Sequence, residues 1–140
     1  MKTIKFLMVA CLCIISFSCA AKQEKSSYVD IEGNPDIIKK LAIEIVDLIH
    51  QEKNIANTVI HLVYDGENAI ADEVLTELKK RGFGLSDTDG ITTAFTVESY
   101  GENRIYLCVT LDKTMFSRFF LFEAQTGKIS PASPLCKGEI

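Results

Sequence analysis

The chain has 140 residues, 47% of them hydrophobic and 24% charged, with 15 Lys and Arg against 19 Asp and Glu. The acid excess excludes a protein that holds nucleic acid through its phosphates, which requires a basic face. The length suits one compact core and is short for two.

The N-terminus reads as an export address. Lys2 and Lys5 form a basic n-region, and Phe6 to Phe17 is an apolar run interrupted only by Ser16, too short to span a bilayer but right for a secretory h-region. Ser16-Phe17-Ser18-Cys19, followed by Ala20 and Ala21, resembles a relaxed lipobox with Ser where Leu is usual. Residues 1–18 are therefore expected to be a lipoprotein signal peptide, and Cys19 the lipid-carrying first residue of the mature chain. Cleavage after Ser18 without lipidation is the other reading of the same residues. Losing Lys2 and Lys5 leaves 13 basic residues against 19 acidic ones, a net charge of −6. Residues 19–35 are expected to form a flexible tether and 36–140 a single α+β domain. The covalent lipid on Cys19 is the only added group expected, and it anchors the domain to a membrane.

Asn34-Pro35-Asp36 announces a helix, with an N-cap, a proline at the first helical position and an acid favourable to the dipole. Ile37, Ile38, Leu41, Ile45, Leu48 and Ile49 then recur at helical spacing to about Lys53. Thr58 to Tyr64 is β-branched and closed by Asp65-Gly66, and so reads as a buried strand. Asn68 caps a second helix, Ala69 to Arg81, with Ala71, Val74, Leu75 and Leu78 inward and Gly82 as its stop. Phe83 to Leu85 is a short second strand, parallel to the first. Thr92 to Ser99, Arg104 to Leu111 and Met115 to Glu123 form an antiparallel meander. Along the last of these, Met115, Phe119 and Leu121 lie on one face and Phe116, Phe120 and Phe122 on the other. Ile129 to Leu135 is a proline-interrupted edge segment. The expected fold is α+β: two helices packed on a mixed four- to five-stranded sheet ending in the meander.

The chemistry search yields little. His50 and His61 lack a second ligand at zinc-like spacing, so no metal is expected. Neither a nucleophile elbow nor a phosphate-cradling glycine loop occurs. Asp87-Thr88-Asp89-Gly90 lacks the later ligands of a calcium loop. Glu67, Asp72, Glu73 and Glu77 sit where the helix dipole and solvation explain them. An enzyme is not indicated. Cys108 and Cys136 remain in the domain, either as a disulfide or as two separate thiols. Tyr106, Phe116, Arg118 and Phe120 combine aromatic rings with an arginine, a composition common at protein interfaces, and are the expected partner surface. The competing reading buries the aromatics and pairs Arg118 with an acid such as Glu98 or Glu123.

Arg81-Gly82-Phe83 at the helix exit, the strand from Tyr106 to Thr110, Ser117-Arg118-Phe119-Phe120 and the tail from Gly127 to Glu139 resemble the TrbH-type lipoproteins of conjugative transfer systems. The resemblance covers roughly Ile37 to Glu139. The chain departs from the pattern at Leu135-Cys136, where an aromatic is expected. It implies a non-enzymatic part of the mating-pair formation apparatus, a type IV secretion system. The domain would then sit at the periplasmic face of the outer membrane, among other channel proteins and without direct contact to nucleic acid. The order of elements also resembles the small periplasmic domains of TolB N-terminal regions. A stand-alone outer-membrane lipoprotein that binds peptidoglycan or regulates an envelope enzyme is the alternative function.

Overall fold

The computed structural model describes residues 26–31 and 34–140, so the expected signal peptide, Cys19 and most of the expected tether lie outside the described residues. Strand β1 is Tyr28–Asp30. Helix α1, Pro35–Glu52, starts where the Asn34 side-chain oxygen accepts the Asp36 N–H at 2.9 Å. It buries Ala42 and Val46 as well as most of the expected stripe, because it packs both on the sheet and on the second helix. Strand β2, Val59–Leu62, leads to helix α2, Ala69–Arg81. Asn68 caps α2 by accepting the Ala71 N–H at 3.0 Å, and Gly82 ends it at φ +90°.

The two-residue strand β3, Gly84–Leu85, runs parallel to β2. Strands β4 (Ile91–Ser99), β5 (Arg104–Leu111) and β6 (Thr114–Glu123) form the antiparallel meander, followed by β7 (Lys128–Pro131) and β8 (Cys136–Glu139). Gly90 admits β4 to the sheet: at φ +117° it lies so close to β2 that an added Cβ would stand 2.5 Å from the Val59 carbonyl oxygen.

The eight strands of the described residues belong to one mixed sheet, in the order β3, β2, β4, β5, β6, β7. The fold is α+β, as expected, but the strand count is higher. The lane on each side of the meander is shared by two short strands. β2 pairs with Ile91 to Thr93 of β4, and β1 takes over the same side of β4 from Thr96 to Glu98. On the far side of the sheet, β8 pairs with Thr114 to Ser117 of β6, and β7 with Phe120 to Glu123.

A serine fills each gap between the paired short strands. The Ser27 hydroxyl donates to the Val63 carbonyl at 2.6 Å and accepts the Phe95 N–H at 3.2 Å. The Ser133 hydroxyl accepts the Phe119 N–H at 3.0 Å. Side-chain oxygens thereby satisfy backbone donors that the broken ladder would leave orphaned. Tyr28–Asp30, expected within the tether, is a strand because Val29 packs against the core.

The two α-helices of the described residues cover one face. Ile105, Leu107, Val109 and Leu111 of β5 and Phe116 and Phe120 of β6 join Leu41, Ile45, Ile49, Val74 and Leu78 in a single core. No helix among the described residues is long and apolar enough to cross a membrane.

Candidate interaction surface on the open sheet face

The surface follows from one hairpin. Asp112 and Lys113 form a two-residue turn that pairs Leu111 with Thr114, and that register sets Tyr106 opposite Phe119 and Val109 opposite Phe116. Asp112, at φ +51°, locks the turn to β4: its carboxylate accepts the Thr92 N–H at 3.1 Å. Side chains alternate between faces along each strand. Val109 and Phe116 face the helices, so Tyr106 and Phe119 face away from them.

This second face holds Ala94, Thr96 and Glu98 of β4, Tyr106, Cys108 and Thr110 of β5, and Met115, Ser117, Phe119 and Leu121 of β6. Ala94 and Cys108 on this face are buried, but among the described residues none of its apolar side chains joins the core cluster under the helices. Phe119 is at the centre. Tyr100 meets it edge-on with ring centroids 5.6 Å apart, and Tyr106 leans against it at 5.1 Å, both favourable aromatic geometries. Tyr100 is 61% exposed and Leu121 38%, so a wet apolar patch surrounds a half-buried ring.

Burial holds the Tyr106 phenol above the ordinary tyrosine range. The Cys108 thiol and the Glu98 charge add to that shift, while a hydrogen bond with Ser117 opposes it. Tyr106 is a neutral hydroxyl-bearing ring at any physiological pH.

The four residues expected as a partner surface do not share a face. Tyr106 is on the open one, whereas Phe116 and Phe120 are 1% exposed in the core and Arg118 lies on their side of β6. The reason is the hairpin register: an even-numbered residue of β5 stands opposite an odd-numbered one of β6. Arg118 neighbours the Glu44 carboxylate of α1 electrostatically, and its buried Nε has no hydrogen-bond partner among the described residues. Glu44 itself is held above the ordinary glutamate range by burial and by repulsion from Asp47, against the pull of Arg118. Sequence reasoning missed Tyr100 and did not single out Phe119 and Leu121 as surface. Their common side on β6 was visible, but not which side the helices would cover.

No disulfide joins Cys108 and Cys136. Both stand beside Ser117, one on each flanking strand, which places them two lanes or about 10 Å apart, beyond the reach of a disulfide. Among the described residues no group of His, Cys, Asp or Glu is arranged to hold a metal ion.

The family model described as conjugal transfer protein TrbH matches residues 22–138. The chain belongs to the TrbH family. TrbH is a conjugal transfer family and not a known enzyme family, and membership makes this chain a component of conjugal transfer. The match takes in the whole described sheet up to Gly138, including β1, which the resemblance read from the sequence had left out. No curated protein and no solved structure matches the chain, and the likeness to TolB N-terminal domains gains no support.

Proposed function

We propose that this TrbH-family chain is a non-enzymatic structural component of the mating-pair formation apparatus. It works by offering its open sheet face to other proteins of the type IV secretion channel. A lipid on Cys19 holds it at the outer membrane with the domain toward the periplasm. The observation that carries the reading is the Tyr100, Tyr106, Phe119 and Leu121 patch, which stays outside the core although it is built on β5, β6 and the end of β4. A contiguous aromatic surface that the domain leaves wet is the usual mark of a partner site. Family membership supplies the assembly to which that partner belongs.

Membrane attachment gives such a domain its effect, because restricting it to one surface raises its local concentration near the channel. Cys19→Ser is the direct test in donor cells. The variant is expected to be folded and exported, to appear in the soluble envelope fraction, and to lower transfer frequency at least ten-fold. Full transfer by the released domain would show that anchoring has no role. Mild crosslinking in cells with an assembled channel should capture a channel subunit; capture of none would overturn the reading as a whole.

A further inference from the structure

The open face has a second feature beside its aromatic patch. In the row across the sheet that contains Tyr106 and Phe119, the two preceding positions are Glu98 on β4 and Asp30 on β1. Val29 and Val97, their sequence neighbours, point into the core, so both carboxylates project on the open side. Like charges directly opposite each other on adjacent strands cost stability. Neither has an ion-pair partner among the described residues. One row therefore reads acid, acid, tyrosine, phenylalanine across four neighbouring strands, with Tyr100 and Leu121 at its aromatic end. Arg104, opposite Leu121, is the cation nearest that end in the sheet register.

We infer that this row recognises a segment of another channel protein in which a lysine or arginine stands close to an apolar side chain. The inference rests on the function proposed above. The cation would sit over Asp30 and Glu98, relieving their repulsion, and the apolar side chain would lie on Phe119 between Tyr106 and Leu121. Lanes of a sheet are about 4.8 Å apart, so the centres of the two halves are about 10 Å apart. An extended segment bridges that distance within four residues. The acid pair sets the orientation, because a segment lying the other way would bring its cation toward Arg104. Aromatic rings beside the acids favour the same cation, since they attract it through their faces.

A photo-crosslinking amino acid placed at Leu121 in donor cells with an assembled channel tests this. The expected product is a peptide of another channel protein carrying Lys or Arg within four residues of the crosslinked position. Its yield should fall at least five-fold in the Asp30→Asn, Glu98→Gln double variant, whose unfolding midpoint should be unchanged or higher. The same peptide, synthesised and titrated into the purified mature chain, should bind at least five-fold more weakly in 500 mM than in 50 mM NaCl. A yield or affinity indifferent to both changes would overturn the inference, as would a peptide without a basic residue, a second copy of this chain, its own N-terminal segment, lipid, or no product at all. Deleting the gene separates the two claims. If transfer is lost on deletion yet the crosslink ignores the acids, only this inference fails; if transfer survives deletion, the proposed function fails with it.

Discussion

Phe119 and Phe120 are adjacent in β6 and point to opposite faces, so the same substitution should have different effects at the two positions. Phe120 is in the core, and Phe120→Ala should cost about 3–5 kcal/mol in urea unfolding. Phe119 is half-buried among aromatic neighbours, and Phe119→Ala should cost about 1–2 kcal/mol while lowering transfer in cells that still contain folded protein. Measuring midpoints and mating frequencies together distinguishes the two.

Glu44 gives a pH dependence of uncommon sign. Its carboxyl titrates above the ordinary glutamate range in the folded domain, so ionising it costs more there than in the unfolded chain. That penalty is fully present above the folded pKa and is relieved as the pH falls toward about 4, the unfolded range. Glu44→Gln should therefore raise the unfolding midpoint at pH 7 and have little effect at pH 4. An advantage that grew on acidification would contradict this. Arg118 shows the limit of residue-level reading: its sequence setting among phenylalanines suggests a hot spot, and only its place under α1 shows that its neighbour is internal.

Among elements, the two shared lanes depend on serines that do the work of backbone groups. Ser27→Ala leaves the buried Phe95 N–H without its acceptor and should cost about 1–3 kcal/mol. Ser133→Ala affects the half-buried Phe119 N–H and should cost less, about 1 kcal/mol. Equilibrium unfolding of the two variants checks the order. The helices and the meander were legible in the sequence because caps, periodicity and turns agree there. Pro35, Asn68 and Gly82 mark helix ends, and Asp112-Lys113 marks the hairpin. The register of that hairpin was legible too, and it would have separated Tyr106 from Phe116. Of the short strands, β2 and β3 were read, and β7 was read as an edge segment; β1 and β8 were not legible, since three or four residues carry too little alternation to be told from a linker. β1 exists because β4 offers an unpaired stretch beyond β2, a fact of the assembled sheet and not of the segment.

For the whole molecule, the boundary between tether and domain is the point on which sequence and structure differ most. If residues up to 35 were only a tether, a mature chain starting at residue 34 would be as stable as one starting at residue 26. The structure implies otherwise, because the shorter chain loses Ser27, Val29 and Ile31, which pair with β4 or pack on the core. A loss of about 3 kcal/mol is expected from the half-buried side chains and the broken lane. Urea titration of the two chains decides between them. The open face was legible only as an ambiguity on β6, because alternation tells sides apart without saying which one is dry.

The division of both outer lanes also bears on crowding. Held at a membrane as proposed, the domain would meet its own copies at high local density, where a long bare strand edge would template lateral growth. Here β1 offers three residues in a row, and β7 and β8 four each, before the chain turns away. Runs of that length fall short of the five to seven residues, roughly, that sustain strand stacking. The splices that complete the sheet thus also keep neighbouring copies from joining into one.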